Sequence, residues 1–185
     1  RRRIRRRIFE LEQEIKEVKK QRDARRARRE KNIVPVAALV GYTNSGKSTL
    51  LNLLSHSDVL AEDRLFATLD PVTRKVALPD DREFLLVDTV GFINKLPHDL
   101  VEAFHSTLEE ALYADLLIHV VDASSPVMTA QMKVVDHVLD SLGAGQKKRI
   151  TVYNKMDLVP EMEMWELPDE EPSVAISAKT GAGVD

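Results

Sequence analysis

The segment of this chain that most constrains its fold is residues 41–48, with the sequence GYTNSGKS. It fits the pattern G-x-x-x-x-G-K-[ST], in which a glycine-rich loop joins a buried strand to a helix. The apolar run 36–40 before it and the segment 48–54 after it predict that strand and that helix. Gly41 and Gly46 allow successive backbone N–H groups to point inward as an anion nest. Because both flanks fit, a phosphate site is favoured over a glycine-rich turn that matches by chance.

Three further side chains carry the chemistry of the predicted phosphate site. Lys47 would reach the β- and γ-phosphates of a nucleotide, and the Ser48 hydroxyl would hold Mg²⁺. The stretch Asp88-Thr-Val-Gly91 follows a predicted strand. There the Asp88 carboxylate can meet the Mg²⁺ indirectly, and Gly91 can offer its backbone N–H to the γ-phosphate and act as a hinge. Alone, D-x-x-G is usually a turn, but after a phosphate loop and at this spacing it is a strong signal.

Residues 57–71 are polar and irregular, and Thr68 lies in their second half. A hydroxyl in this segment can complete the Mg²⁺ ligands only when the γ-phosphate is present. The segment is therefore predicted to be an order–disorder switch. Thr73 is a competing hydroxyl, so spacing alone leaves the assignment of Thr68 open.

The sequence NKMD at residues 154–157 is suited to choosing a base. Asp157 can accept two hydrogen bonds from guanine, at N1–H and the 2-amino group, and adenine lacks that pair of donors. Asn154 would tie this loop to the phosphate loop, and the stem of Lys155 would cover the base. Residues 177–179 would supply a backbone N–H to guanine O6. N-K-x-D alone is weak, since a helix-capping Asp is the alternative, but four other motifs in the same order favour a guanine site.

The 185 residues suffice for one domain with a real core plus an appendage. The absence of cysteine excludes disulfides and thiolate metal sites. No uncharged apolar run approaches the ~18 residues of a membrane span, and the basic start leads into a polar helix rather than a signal peptide. Since the first residue is Arg, we expect the chain to be an excised fragment.

Residues 1–31 differ in charge from the remainder of the chain. They hold 15 Lys/Arg against 6 Asp/Glu, a balance of +9, whereas the remainder holds 12 against 24, a balance of −12. This split predicts two modules with different partners. An a/d heptad seam on a helix runs through Ile4, Ile8, Leu11, Ile15 and Val18. The cations on its other faces indicate either an electrostatic contact with nucleic acid, RNA above all, or a solvated coiled-coil face.

The hydropathy pattern predicts an α/β fold. Strands are expected at 36–40, 72–78, 83–88, 116–122, 149–153 and 173–176, and helices at 47–56, 99–113 and 126–142. A tight turn at 79–82 makes an antiparallel hairpin of the second and third strands. This order predicts an open, mostly parallel sheet of six strands with one antiparallel edge strand and helices on both faces. The phosphate loop, Asp88, Asn154 and Ser177 all follow strands, so they should meet at one edge of the sheet. His119, inside an apolar strand, is predicted to be a packed core histidine rather than a ligand.

The motifs GYTNSGKS, FATLDP, DTVGF, NKMD and SAK match those of translation-factor-class GTPases. In detail the chain resembles the Obg–HflX superfamily, and specifically the HflX family. FATLDPVTR and DTVGFINKLPHDLVEAFHSTLEEALYADLLIHVVDAS carry that likeness, which covers essentially the whole chain. The resemblance implies a Ras-like P-loop GTPase domain at 33–185 without its last helix. It also implies that residues 1–32 are the end of a basic helical linker whose preceding domain is absent.

The resemblance also implies which residues contact GTP. They are Gly41, Tyr42, Thr43, Asn44, Ser45, Gly46, Lys47, Ser48 and Thr49; Phe66, Ala67, Thr68, Leu69 and Asp70; Asp88, Thr89, Val90 and Gly91; Asn154, Lys155, Met156 and Asp157; and Ser177, Ala178 and Lys179. Ser48 and Thr68 would ligate Mg²⁺ with Asp88 behind them, and Lys47, Thr68 and Gly91 would act in hydrolysis. Asn44 resembles an Asn that helps to bind K⁺ in some related GTPases, and a loop-stabilising Asn is the alternative.

The implied function is that of a cytoplasmic, monomeric GTPase, partly membrane-associated, that binds the large ribosomal subunit and its RNA and splits or rescues stalled ribosomes. Phe92 stands where related GTPases often place a water-orienting Gln, so we expect a low intrinsic rate. Two rivals remain. One is a non-catalytic GTP sensor whose basic helix pairs with a protein. The other is a phosphate-loop kinase or ATPase, which Asp157 and Ser177 disfavour.

Overall fold

The structure is a computed structural model that describes residues 34–56, 72–92, 110–160, 168 and 172–184. The chain divides into two units, Arg1–Val34 and Pro35–Asp185, and of the first only Val34 is among the described residues. Three predictions therefore lie outside them: the basic helix at 1–31, the switch segment 57–71, and most of the helix at 99–113.

The second unit is built on the predicted six-stranded sheet. Its strands are β1 (Val36–Val40), β2 (Val72–Ala77), β3 (Glu83–Asp88), β4 (Leu116–Asp122), β5 (Arg149–Asn154) and β6 (Ser173–Ala175). They lie in the order β2-β3-β1-β4-β5-β6. The edge strand β2 is antiparallel to β3, and the other neighbouring pairs are parallel. The predicted fold class and strand bounds are confirmed to within one residue at each end.

Helices cover both faces of this sheet. Helix α1 (Lys47–Ser55) packs Leu50 and Leu51 against a cluster that includes Leu39, whereas helix α2 (Met128–Ser141) packs its inner side against the opposite cluster. Alternate residues of β1 serve the two clusters, with Leu39 on one face and Val40 on the other, because side chains alternate across a strand. Residues 110–113 are also helical and border the second cluster.

The measured ends of helix α2 differ from the predicted range of 126–142. A turn closed by the Met128 N–H and the Ser125 carbonyl at 3.0 Å precedes the helix, so the first helical residue is Met128. The helix ends at Ser141, and Gly143 follows with a φ of 76°, a left-handed conformation typical of helix termini.

His119 lies in the middle of β4, with Val40 and Thr151 as its register partners on either side. Its side chain is buried, as predicted for a packed core histidine. Burial and, after it, the charge of Arg149 lower the pKa of His119 to about 4. His119 is therefore neutral at ordinary pH.

In the part of the chain that the structure describes, no helix has the length and apolar character that a membrane crossing needs.

Candidate functional site

The predicted phosphate loop lies between the carboxyl end of β1 and the first residue of α1. Gly46 ends the loop with a φ of 95°, and a β-carbon there would overlap the amide nitrogen of Asn154. Both conditions require glycine at this position. Asn44 also has a positive φ, of 59°, which Asn tolerates better than most residues. The loop is thus fixed by residues that suit its backbone, as the motif predicts.

The Lys47 side chain folds back over this loop and is buried, with 6% of its surface exposed. Its Nζ donates to the carbonyl oxygens of Tyr42 at 3.0 Å and Gly41 at 3.4 Å. Burial lowers the pKa of Lys47 to about 8, although the negative charge of Asp88 acts in the opposite direction. A mostly buried ammonium in a loop of inward-facing backbone is suited to bind an anion.

The hydroxyl of Ser48 donates to Asp88 Oδ2 at 2.6 Å. Asp88 is the last residue of β3 and is fully buried. The two oxygen-bearing side chains predicted to serve Mg²⁺ are therefore in contact at the base of the phosphate loop. Oxygen ligands suit this ion, which is commonly bound by few protein groups plus phosphates and water. Among the described residues there is no cluster of three or more His, Cys, Asp or Glu side chains that could hold a metal ion.

The segment after β3 is bonded directly to the phosphate loop. Phe92 donates its N–H to the Gly41 carbonyl at 3.0 Å, and the Phe92 carbonyl accepts from the Thr43 N–H at 2.9 Å. Gly91 lies so close that a β-carbon there would come within 2.7 Å of Thr43 Cα. The predicted hinge glycine therefore sits against the phosphate loop, where a side chain would not fit.

The ring of Phe92 points away from the site. It is 1% exposed and packs in the cluster that contains Val40, Val135 and Leu139. An apolar Phe side chain cannot orient water, as expected from the sequence. The structure adds that this side chain is part of the core beneath helix α2.

Asn154 joins three loops at this edge of the sheet. Its side-chain Nδ2 donates to the Ser45 carbonyl at 2.9 Å, and its Oδ1 accepts from the Ala178 N–H at 2.9 Å. The first contact is the one predicted from the sequence. The second shows that Asn154 also positions the segment 177–179.

Asp157 and Ser177 meet as well, since the Ser177 hydroxyl donates to Asp157 Oδ1 at 2.6 Å. Asp157 lies in a short 3₁₀-helix, Met156–Leu158, directly after β5. The Ala178 N–H is engaged by Asn154. The two segments predicted to recognise guanine are thus in contact, and one carboxylate oxygen of Asp157 already has a donor.

Lys155 forms an ion pair that the sequence analysis did not foresee. Its Nζ lies 2.7 Å from Oδ2 of Asp122, the last residue of β4. Asp122 and Asn154 are register partners in neighbouring parallel strands, so the residue after Asn154 lies close to Asp122. The sequence feature that could have indicated this pair is Asp122 itself, a carboxylate at the end of an otherwise apolar strand.

The predicted nucleotide contacts at residues 66–70 lie outside the described residues.

The comparison with known families agrees with this arrangement. A family model described as "50S ribosome-binding GTPase" matches residues 36–155 of this chain. The chain belongs to this GTPase family. The matched residues run from the start of β1 to Lys155, which includes the phosphate loop, Asp88 and Asn154.

Among curated relatives of this GTPase, the "GTPase HflX" of Caldanaerobacter subterraneus subsp. tengcongensis is 56% identical over 185 residues, which is 100% of this chain and 42% of that protein. The chain therefore spans about two fifths of that relative.

Two solved structures share the fold at lower identity. A GTP-binding protein from Sulfolobus solfataricus in complex with GDP has a TM-score of 0.65 and 28% identity, covering 92% of this chain and 57% of that one. Era in complex with MgGDPNP and nucleotides 1506–1542 of 16S ribosomal RNA has a TM-score of 0.66 and 26% identity, covering 82% and 53%. Membership of a GTPase family confirms the resemblance stated from the motifs.

Proposed function

We propose that this chain is the GTP-binding and GTP-hydrolysing part of a switch that acts on the large ribosomal subunit. The observation that carries the proposal is the pair of hydrogen bonds made by Asn154, one to the phosphate loop and one to Ala178. They bring the predicted phosphate site and the predicted base site together at one edge of the sheet. Only a ligand with both an anionic chain and a base uses the whole of such a site.

In this proposal the base is guanine. Asp157 accepts from N1–H and the 2-amino group, and the stem of Lys155 covers one face of the ring. In the segment 177–179 the Ala178 N–H is engaged by Asn154. We therefore assign the contact with O6 to the next amide, that of Lys179. An adenine base would present an acceptor and no 2-amino group to Asp157, leaving the carboxylate poorly paired.

The phosphates lie against the anion nest and Lys47. Ser48 and Thr68 would hold Mg²⁺ with Asp88 behind them, and the ion would supply positive charge beside the β- and γ-phosphates. Asn44, whose left-handed backbone presents it at the middle of the loop, is the candidate to help bind K⁺. A purely loop-stabilising Asn44 is the alternative.

Hydrolysis requires an attacking water aligned with the γ-phosphate. The buried ring of Phe92 cannot orient it, so backbone groups or a partner do so. Gly91, held against Thr43, offers its N–H to the γ-phosphate, and Lys47 stabilises the charge that develops there. The intrinsic rate in this account is slow, and a partner can add about 10³–10⁵ by positioning and charge stabilisation.

The large ribosomal subunit is the proposed partner. The description of the matching family names 50S ribosome binding, which supports this choice of subunit. The Era structure contains 16S ribosomal RNA and supports only a contact with ribosomal RNA in general. The balance of +9 in residues 1–31 suits the phosphates of RNA. Splitting or rescue of stalled ribosomes, by a cytoplasmic monomer that partly associates with membranes, is the finer role implied by the likeness to HflX.

The experiment that tests this proposal is GTP turnover by the intact protein with and without purified large subunits. We expect slow turnover alone and a rise of several orders of magnitude with subunits. Turnover that large subunits leave unchanged contradicts the ribosomal part of the proposal, and failure to bind GTP contradicts all of it.

The rival function is a non-catalytic GTP sensor whose basic helix pairs with a protein. The heptad seam from Ile4 to Val18 favours this rival. Ribosome-stimulated phosphate release separates the two functions, and the salt dependence of binding separates the two roles of the basic helix. Binding through RNA phosphates gives a log–log slope on the order of −4 to −8 if that many charges engage, whereas a flat response indicates the coiled-coil pairing.

A further inference from the structure

Asp122, the last residue of β4, and Lys155, the residue after β5, form an ion pair at the carboxyl ends of the two strands. Lys155 Nζ and Asp122 Oδ2 are 2.7 Å apart, and the side chains are 24% and 19% exposed, respectively. The pair Lys75–Glu83 on the hairpin is more exposed, at 59% and 44%. Since exposed pairs are screened by water and salt, the pair at the ends of β4 and β5 should be the stronger of the two.

The carboxylate of Asp122 is oriented by its own loop. Asp122 Oδ1 accepts from the N–H of Ser124 at 3.0 Å and from its hydroxyl at 2.6 Å. The Ala123 N–H is bonded to the Asn154 carbonyl at 3.0 Å, which fixes this loop against the end of β5. Because the contacts with Ser124 fix Oδ1, the carboxylate has one orientation, in which Oδ2 faces Lys155 Nζ.

The backbone of Lys155 needs such support. Its φ is 64°, a left-handed conformation that residues other than glycine adopt infrequently. Asn154 on one side is fixed by its contacts with Ser45 and Ala178, and the 3₁₀-helix of Asp157 follows on the other. The ion pair holds the far end of the Lys155 side chain, so the direction of its aliphatic stem is fixed at both ends.

We propose that Asp122 is a positioning residue for guanine nucleotides, which holds Lys155 Nζ so that the lysine stem forms one wall of the base pocket. The inference rests on the proposed function, because the stem covers a base only if residues 154–157 bind guanine. The competing explanation is that the ion pair merely ties the ends of β4 and β5 together and stabilises the sheet.

A double-mutant cycle in the full chain separates these explanations. Asp122→Asn removes the charge but keeps the Oδ1 acceptor for Ser124, and Lys155→Met keeps an apolar stem without the ammonium. The dissociation constant and dissociation rate of GDP are measured with a fluorescent derivative. We expect Asp122→Asn to weaken GDP about five- to twentyfold, and by less than about twofold in the Lys155→Met background.

The control is Asp136→Asn, which breaks the ion pair between Asp136 and Arg149 at the opposite end of β5. It should leave GDP affinity unchanged. Asp122→Glu keeps the charge and should recover most of the affinity, which distinguishes a lost contact from a misfolded variant. Melting temperatures without nucleotide report the stabilising role separately.

Two results would overturn the inference: wild-type GDP affinity in Asp122→Asn, or an equal loss with and without Lys155→Met. In the first case the ion pair acts only on the sheet, and in the second Asp122 affects GDP by a route that does not involve Lys155. If the wild-type chain binds no guanine nucleotide, the proposed function has failed instead. The two failures are therefore distinguishable.

Discussion

The side-chain amide of Asn154 donates to the Ser45 carbonyl at 2.9 Å, although 109 residues separate them in the chain. The same side chain accepts from the Ala178 N–H. Both groups of Asn154 are buried and both are bonded, so one residue fixes the phosphate loop relative to the segments that we propose bind the base. Nucleotide affinity should therefore depend on Asn154 even though its amide binds protein groups.

Asn154→Ala tests this dependence. It leaves the Ser45 carbonyl and the Ala178 N–H without their partner, and each buried group left unpaired costs about 1–3 kcal/mol. We expect GDP affinity to fall at least about tenfold and the melting temperature to drop, as measured by calorimetry. Asn154→Asp keeps an acceptor for the Ala178 N–H but sets a buried carboxylate against the Ser45 carbonyl, so it should weaken GDP at least as much as Asn154→Ala. Wild-type affinity in Asn154→Ala would show that the loops are positioned by other contacts.

The contact between Asn154 and the phosphate loop could be predicted because both segments follow parallel strands, whose carboxyl ends meet at one edge. The strand bounds were predictable for a similar reason, since apolar runs such as 116–122 end at polar residues. The Asp122–Lys155 pair could not be predicted in this way. It depends on the register of β4 and β5 and on the left-handed backbone of Lys155, and neither is written in local sequence pattern.

We expect the Lys47 amine to take up a proton when a nucleotide binds. Burial lowers its pKa to about 8, and phosphate anions beside the ammonium raise it. At pH 8 about half of the Lys47 groups lack the proton, so binding should take up about half a proton per nucleotide, and almost none at pH 6.5. Affinity then falls as pH rises above 8. Calorimetry in two buffers of different ionisation enthalpy measures the uptake, and none at pH 8 would refute the shift.

Because the Phe92 ring is buried in the core, we expect its replacement to lower the stability of the fold rather than the rate of hydrolysis. Removing a fully buried aromatic side chain costs about 3–5 kcal/mol, so Phe92→Ala should unfold at clearly lower urea concentration than wild type. Phe92→Leu, which keeps most of the buried volume, should lose much less stability. It should also leave the basal rate, which we propose is on the order of 10⁻⁴ s⁻¹, within a few-fold of wild type. A basal rate near 1 s⁻¹ in the wild-type chain, or its large loss in Phe92→Leu, would mean that this ring takes part in hydrolysis.

Because His119 is buried, we expect the free energy of unfolding to fall in mild acid. Its folded pKa of about 4 lies below the ordinary value of 6.5, because burial and then Arg149 disfavour the charged ring, against the opposing effect of Asp136. The unfolded chain binds the proton first, so stability present above pH 6.5 is lost as pH falls toward 4, by up to about 3 kcal/mol. His119→Leu should flatten this part of the urea-unfolding profile. Equal slopes in variant and wild type would contradict the buried, neutral histidine.

The most direct test of the account is the base preference of Asp157→Asn. An amide in place of the carboxylate can pair with xanthine, whose 2-oxo group accepts where the guanine 2-amino group donates. Breaking a charge-assisted pair costs about 2–5 kcal/mol, so we expect GTP binding to weaken by about thirty-fold to several-thousand-fold while xanthosine triphosphate binds in its place. Competition between the two nucleotides for the full chain gives both affinities. If Asp157→Asn still binds GTP as tightly as wild type and gains no affinity for xanthosine triphosphate, the guanine site is not where the account puts it.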